Sequence, residues 1–251
     1  MLPRLLLLSV TPVTSVDFAA AVTIFRGVWG LCGLILVTPY AKCREGREVG
    51  RRGAHCTIWR MRAPWIVTLV CGASGTGKSC LARPLAERYG VPLAEADDIV
   101  TAVQAITTPE QQPILHFWQT HPQFRSWAPE RIAARHCEVA GALRPAYAAV
   151  IADHVEFAAP VVFEGDYLLP ELAAEAGPAV RAVVLDEQDE DQITANYLRR
   201  EPGGQQRDRG RVSALVSAEL ARRARRCGVP VVPARPWSDG LDRVDKALRE
   251  T

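Results

Sequence analysis

The sequence predicts an α/β fold with a parallel sheet, and three observations indicate it. Short apolar segments alternate with segments of helical periodicity from about residue 61 to the end of the chain, which is the order of strands and helices in a parallel α/β protein. A glycine-rich turn directly follows the first apolar segment. Carboxylate residues follow two later apolar segments. Because the carboxyl ends of parallel strands share one edge of the sheet, we expect the ligand to bind there.

The first strand, Trp65–Cys71, runs into a motif that binds phosphate. The sequence GASGTGKS matches the P-loop pattern G-x-x-x-x-G-K-[ST]. Its glycines let the backbone turn back and direct N–H groups toward one point, beside the positive end of the following helix. The residues predicted to bind the nucleotide are those of the motif: Gly72, Ala73, Ser74, Gly75, Thr76, Gly77, Lys78 and Ser79.

Two side chains of the motif have predicted tasks of their own. Lys78 is expected to contact the β- and γ-phosphates, and the Ser79 hydroxyl is expected to bind Mg²⁺. The helix after the turn is predicted at Lys78–Arg88, with a kink at Pro84 and an end at Gly90. The motif predicts a phosphate site but does not identify the reaction.

The second predicted strand, Val91–Ala94, ends just before Asp97 and Asp98. A carboxylate at this place faces the γ-phosphate, where it can accept the proton of an attacking hydroxyl or hold Mg²⁺ through water. The alternative is that an aspartate caps the helix predicted at Ile99–Ile106. Both interpretations stay open, and Asp97 and Asp98 are the candidates for the catalytic carboxylate.

A long segment between the second and third strands is predicted to bind the acceptor substrate. Residues 107–129 are too many for a plain connection, and Glu130–Phe157 has helical periodicity with a bend expected at Pro145. We expect His136 and His154 to lie in the core because they fall on the apolar stripe. The groups in this insert that can bind an anionic substrate are His116, His121, Arg125, Arg131, His136, Arg144 and His154.

The third predicted strand, Pro160–Phe163, is followed by Glu164 and Asp166. An apolar strand that ends in a carboxylate is the Walker B arrangement, in which the acid reaches the ligand shell of Mg²⁺. Strand ends often carry an acid, so the signal depends on the P-loop upstream. Glu164 and Asp166 are both candidates for the metal site, and the sequence does not decide between them.

Arginines and glycines between the last two long helices predict a lid over the site. The segment Glu201–Arg211 contains three glycines that would let it move, and guanidinium groups stabilise the charge of phosphoryl transfer. Arg207 and Arg211 are the predicted catalytic residues of this lid. The alternative is a solvated charged loop. The full basic stretch is Arg199, Arg200, Arg207, Arg209 and Arg211.

The remaining predicted elements complete the alternation of strands and helices. They are the strand Ala179–Leu185, the helix Asp189–Arg200, the helix Val212–Cys227, the strand Val229–Val232 and the helix Leu241–Arg249.

Residues 1–60 are interpreted separately from the domain at residues 61–251. Phe18–Thr38 is mostly apolar, but Arg26 lies in its middle, where a charge is costly for a membrane segment. The interpretation we favour is a gene start called too early, with the protein beginning at Met61. The alternatives are a membrane anchor, followed by basic residues as anchors often are, and a disordered or loosely helical extension.

Charge and cysteine content exclude several classes of protein. Residues 1–60 have a net charge of +5, whereas residues 61–251 have −3, which disfavours a surface that coats nucleic acid. The seven cysteines form no C-x-x-C pair, which is typical of reduced thiols in a cytoplasmic protein rather than of disulfides or a zinc site. The oligomeric state is not predicted.

Several segments together resemble the adenylate-kinase-like group of P-loop small-molecule kinases. Within it the chain is most similar to proteins described as 2-phosphoglycerate-kinase-like or as AAA-family ATPases. The resemblance covers the chain from about Met61 and implies a three-layer α/β/α fold with a five-stranded parallel sheet, a helical substrate insert and an Arg-rich lid, with ATP and Mg²⁺ bound. The segments are GASGTGKSCLA, ADDIV, TTPEQQPILHFW, VVFEGDYLLP and NYLRREPG with GVPVVPARPW.

The predicted function is the transfer of the γ-phosphoryl group of ATP to a small hydroxyl-bearing molecule. One alternative is a nucleotide-dependent switch without an acceptor, although the chain has no N-K-x-D motif for GTP. Another is a kinase of nucleic-acid ends, which the net charge of −3 in residues 61–251 disfavours.

Overall fold

A computed structural model describes residues 63–203 and 206–251. Within those ranges the strands are β1 Val67–Cys71, β2 Leu93–Glu95, β3 Val161–Gly165, β4 Val180–Asp186 and β5 Val231–Pro233. The helices are α1 Lys78–Tyr89, α2 Ala96–Ile106, α3 Phe117–Thr120, α4 Pro129–Glu156, α5 Glu171–Ala176, α6 Glu190–Arg200, α7 Gln206–Arg226 and α8 Gly240–Glu250. Two short 3₁₀ turns are Pro122–Ser126 and Trp237–Asp239.

The strands form one parallel sheet in the order β2-β3-β1-β4-β5. All five residues of β1 are buried, because a central parallel strand is covered on both faces and is apolar throughout. The chain leaves β1 for the β2 and β3 side and later crosses to β4 and β5 on the other side. Ligands of open α/β sheets bind at such a reversal, so the topology places the site at the carboxyl end of β1.

Helices cover both faces of the sheet, which makes three layers. On one face α1 and α8 pack against Val70, Val183 and Leu185, and Tyr89 donates a 2.5 Å hydrogen bond to Asp245. On the other face α4, α5 and α7 pack against alternate residues of the same strands, such as Leu69. The predicted fold class, a three-layer α/β/α domain with a five-stranded parallel sheet, is confirmed.

The first helices and the insert follow the prediction closely. Helix α1 begins at Lys78, contains Pro84 and ends before Gly90, whose φ of +68° is left-handed. The predicted helix at Glu130–Phe157 is α4, which contains Pro145. The segment before it forms α3 and a 3₁₀ turn rather than an extended connection.

The predicted boundary between the lid and the next helix is wrong. Helix α7 begins at Gln206, not at Val212, so Arg207, Arg209 and Arg211 lie on its first turns. Gly210 suggested a flexible loop, but here it permits close packing, since a Cβ at this position would collide with Thr194 of α6.

The interpretations of residues 1–60, including the anchor at Phe18–Thr38, fall outside the described residues. Among the helices that the structure does describe, none combines the length and the apolar composition that crossing a membrane requires.

Candidate active site

The P-loop connects β1 to α1 and is folded around one carbonyl group. The Ala73 oxygen accepts hydrogen bonds from Thr76 Oγ1 at 2.8 Å and from Lys78 Nζ at 3.0 Å. Gly75 and Gly77 have φ values of +78° and +88°, which residues with a Cβ rarely adopt. The loop therefore already has the curvature that the motif predicts, and the buried Lys78 points into it.

Helix α6 holds this loop from outside. Asn196 Nδ2 donates a 2.9 Å hydrogen bond to the Gly75 oxygen. A Cβ at Gly75 would come within 3.2 Å of Tyr197 and within 3.0 Å of Ile193. The loop is thus fixed by backbone geometry, by a side-chain hydrogen bond and by close packing.

The serine that ends the P-loop motif contacts the acid at the end of β3. Ser79 Oγ donates a hydrogen bond to Glu164 Oε1 at 2.7 Å. The parallel register explains the contact, because Glu164 is paired with Val70 one residue before the end of β1. Glu164 is 7% exposed. Of the two predicted metal-site acids, Glu164 is the one that contacts Ser79.

A cavity of about 690 Å³ opens above these residues. We call it the phosphate cavity. Its lining includes Lys78, Ser79, Asp97, Glu164 and Asp166. The structure therefore brings together the P-loop, one of the two candidate catalytic aspartates and both candidate metal-site acids.

The two candidate aspartates have different positions. Asp97 lines the phosphate cavity, whereas Asp98 is not part of the lining. Burial raises the pKa of the Asp97 carboxyl above its ordinary value, and the Asp166 carboxylate raises it further. Neither aspartate is the N-cap, since Glu95 has that position and both lie in the first turn of α2. The predicted capping role is wrong.

The arginines of the predicted lid also separate into two groups. Arg199 and Arg200, at the end of α6, line the phosphate cavity. Arg207 pairs with Asp191 at 3.2 Å, and Arg211 pairs with Glu130 at 3.0 Å. The structure thus directs Arg207 and Arg211 to carboxylates outside the cavity, because both lie on α7.

Trp237 forms a wall of the phosphate cavity that sequence reasoning did not assign. Its ring lies directly against Gly77, where a Cβ would collide with it. The loop that carries it is held by Arg235, whose Nε donates to the buried Glu187 at 2.5 Å. The only signal in the sequence was the segment PARPW after the last strand, which does not reveal that the ring reaches the P-loop.

A second cavity of about 750 Å³ adjoins the first. We call it the side cavity. It shares Ser74, Asp166 and Tyr197 with the phosphate cavity, and its other walls come from the insert and from α7. The insert predicted to bind the acceptor therefore reaches the mouth of the P-loop.

The two histidines predicted to lie in the core are half-buried and hydrogen-bonded. His136 Nε2 donates to the Asp166 carbonyl at 3.1 Å, and its ring stacks on Tyr167 with centroids 4.4 Å apart. His154 Nδ1 donates to the Ala159 carbonyl at 2.8 Å. His136 also lines the side cavity, so it both supports the site and borders it.

Of the comparisons with known proteins, the one with solved structures finds matches. No family model matches the chain, and no curated protein matches it. A gluconokinase from Sinorhizobium meliloti 1021 is 20% identical, with 75% of this chain and 94% of that chain covered and a TM-score of 0.45. TT1252 from Thermus thermophilus is 16% identical, with 74% and 97% covered and a TM-score of 0.47. A shikimate kinase from Acinetobacter baumannii, in complex with shikimate, is 14% identical, with 74% and 93% covered and a TM-score of 0.42.

Likeness at this level concerns architecture, and it carries no conclusion about activity. The similarity to 2-phosphoglycerate-kinase-like proteins stays a prediction. What the chain does has to be inferred from its own side chains.

Proposed function

We propose that the chain is a kinase that transfers the γ-phosphoryl group of ATP to the hydroxyl group of a small molecule. The observation that carries the proposal is the 2.7 Å hydrogen bond between Ser79 and Glu164, at the base of a P-loop that opens into two adjoining cavities. A phosphate site beside a second cavity is what a phosphoryl transfer between two small substrates requires.

The donor set fits a magnesium ion. The Ser79 hydroxyl and the Glu164 carboxylate are hard oxygen ligands, and Asp97 and Asp166 line the same cavity. Mg²⁺ uses one or two protein ligands with waters and substrate phosphates, so it does not need the cluster of three or more acidic, His or Cys side chains that is missing among the described residues. The ion would neutralise charge that develops on the β- and γ-phosphates.

The nucleotide is bound from both ends in this proposal. The N–H groups of the P-loop and the Lys78 ammonium hold the phosphates. Trp237 is 39% exposed and lines the phosphate cavity, and an exposed ring in that place stacks against the base. Arg199 and Arg200 are the guanidinium groups that line this cavity and are proposed to contact the transferred phosphoryl group, although Arg200 also pairs with Glu201 at 3.2 Å.

The acceptor lies in the side cavity. Its hydroxyl oxygen bonds to the γ-phosphorus, the bond from that phosphorus to the β–γ bridging oxygen breaks, and ADP leaves. The hydroxyl proton passes to a carboxylate of the phosphate cavity, for which Asp97 is the proposed group. Burial and the Asp166 carboxylate raise the pKa of Asp97, which makes it a stronger base than an ordinary aspartate.

The experiment that tests the proposal measures ADP release by the purified full chain with ATP, Mg²⁺ and a panel of hydroxyl acceptors. We expect release to depend on an acceptor and to be lost in Lys78→Ala. Lys246→Ala is the matched control, because Lys246 is an exposed lysine on α8. ADP release at one rate with and without every acceptor would instead indicate a nucleotide-dependent switch.

A further inference from the structure

The side cavity has an apolar wall on several of its sides. Phe124 and Trp127 contribute aromatic rings from the insert, Ile132 comes from α4, and Val212 and Val216 come from α7. A volume of about 750 Å³ is within the usual range of small-molecule sites. The acceptor therefore meets mostly hydrocarbon once it is inside.

Contacts behind the cavity hold the aromatic wall in place. The Trp118 ring packs edge-on against Phe124 with centroids 4.8 Å apart, and Trp127 packs against Phe117 at 5.4 Å. Trp118 Nε1 donates to the Tyr167 hydroxyl at 2.9 Å. The wall is formed before any substrate binds, so an apolar face needs little rearrangement to be accommodated.

Several polar side chains around the cavity are already paired within the protein. Ser213 Oγ lies 2.8 Å from the Tyr197 hydroxyl. His136 donates to the Asp166 carbonyl, and Arg209 binds Glu201 at 2.7 Å. A molecule with many hydroxyl groups would lose hydrogen bonds to water here without recovering them from these groups.

The basic residues that sequence reasoning offered for an anionic acceptor have other contacts. The Arg131 guanidinium lies over the Trp127 ring, 3.6 Å from its centroid. Arg144 pairs with Glu175. His116 is buried, with Nε2 3.0 Å from Thr107 Oγ1 and Nδ1 3.1 Å from Gln119 Oε1.

Arg125 is the guanidinium of the insert that lines the side cavity, and it is exposed above the Phe124 ring. Asp166 and Asp208 line the same cavity with opposite charge. The walls therefore do not form the concentrated positive charge that a multiply charged anion requires.

Building on the proposed function, we infer that the acceptor is an alcohol with an apolar, aromatic body. The ring packs between the insert and α7, and the hydroxyl points to the mouth shared with the phosphate cavity, where Ser74 and Asp166 lie. Its oxygen replaces ADP on the γ-phosphorus, so the products are a phosphate monoester and ADP, and the hydroxyl proton goes to Asp97, which lines the adjoining phosphate cavity.

The test compares two acceptor classes on the purified full chain with ATP and Mg²⁺. The aromatic arm uses 2-phenylethanol and 3-phenyl-1-propanol, and the polar arm uses glucose, gluconate and glycerate. We expect kcat/KM for the aromatic arm to exceed that for the polar arm by at least about tenfold. Binding of a non-hydrolysable ATP analogue, measured by calorimetry, is recorded first.

Two variants test whether the apolar wall of the side cavity causes the preference for aromatic acceptors. Trp127→Ala is expected to raise KM for the aromatic acceptor by about tenfold, while the affinity for the ATP analogue stays unchanged. Phe157→Ala is the matched control, since Phe157 is an aromatic residue that is 71% exposed at the end of α4 and does not line the cavity. In this variant, KM for the aromatic acceptor and the affinity for the ATP analogue should both stay unchanged.

The outcomes distinguish this inference from the proposed function. ATP binding together with a preference for glucose, gluconate or glycerate would overturn the inference and leave the kinase standing. ATP binding without turnover of the aromatic arm would also overturn it. Failure to bind the ATP analogue would overturn both. An unchanged KM for the aromatic acceptor in Trp127→Ala, together with a raised KM in Arg125→Gln, would show that charge, rather than the apolar wall, selects the substrate.

Discussion

At the scale of single residues, the pair of Ser79 and Glu164 shows how strand register creates a site. The two residues are 85 positions apart in the sequence, so only the fold brings them into contact. The pairing of Val70 with Glu164 and of Cys71 with Gly165 sets their separation. Gly165 matters as well, because a Cβ there would collide with Ala96 at the start of α2.

Removing the charge of Glu164 tests whether this pair holds the metal. In Glu164→Gln we expect kcat to fall by about two to three orders of magnitude, because an amide is a weaker ligand for a divalent cation. ATP affinity without Mg²⁺ should stay unchanged, whereas the gain in affinity on adding Mg²⁺ should shrink. Steady-state ADP release and calorimetry measure these quantities.

The control for this variant is Glu175→Gln, which removes an exposed carboxylate on α5. It should leave kcat and the effect of Mg²⁺ unaltered. Full activity of Glu164→Gln would exclude Glu164 from the metal site and leave Asp166 as the remaining acidic ligand that the sequence predicts, beside Ser79.

The P-loop residues were predictable because each of them serves a local motif. The difference between Asp97 and Asp98 was not predictable, since it depends on how the first turn of α2 is rotated toward the cavity.

The burial of Cys71 was predictable from its place in a central strand. That burial raises the pKa of its thiol to about 12, which makes the thiol unreactive.

At the scale of elements, the positions of α6 and α7 decide which arginines line the phosphate cavity. Helix α6 ends at Arg200 inside the phosphate cavity. Helix α7 begins only a few residues later and directs Arg207 and Arg211 toward Asp191 and Glu130. The bonds of these two arginines are exposed ion pairs, which contribute little to stability.

Substitutions in the two helices should therefore have different effects. Arg199→Ala and Arg200→Ala are expected to lower kcat by about tenfold to a hundredfold, because each removes a positive charge from the cavity. Arg207→Ala should change kcat by less than about twofold, as an exposed residue outside the cavity does. Single-turnover measurements at saturating ATP provide the comparison.

An equal loss in Arg207→Ala would restore the lid as the sequence predicts it, with the start of α7 closing over the substrates. The sequence suggested a lid because the segment contains arginines that could stabilise the transferred charge and glycines that would let it move. It could not show that Gly210 serves a close approach of two helices, because that reason lies in Thr194 on the neighbouring helix.

At the scale of the whole molecule, the alternation of apolar and helical segments was sufficient to predict the class, the strands and the edge that carries the site. The sequence did not show which loops contact one another in the folded chain. Trp237 reaches the P-loop because β5 lies beside β4 at the edge of the sheet. No pattern in the sequence predicts that Trp237 contacts Gly77.

A chain that begins at Met61 should fold and bind ATP with the affinity of the full chain, because every described element and both hydrophobic layers lie after residue 62. Circular dichroism and calorimetry with the ATP analogue measure this. Lys78→Ala in the shortened chain is the control for binding at the P-loop. Aggregation of the shortened chain, with membrane association of the full chain, would favour the anchor interpretation of residues 1–60.

Arg235 has a consequence for which nucleotides fit. It joins Glu187, at the end of β4, to Asp189, which caps α6, and it carries the loop of Trp237. Asn196, which also lies on α6, donates a hydrogen bond to the Gly75 carbonyl of the glycine turn in the P-loop. The Trp237 loop and the glycine turn are therefore both bonded to α6 or its cap, which fixes their relative position. Under the proposed function a nucleoside triphosphate contacts the tryptophan ring as well as the turn, whereas inorganic triphosphate contacts the turn alone, so we expect it to bind more weakly.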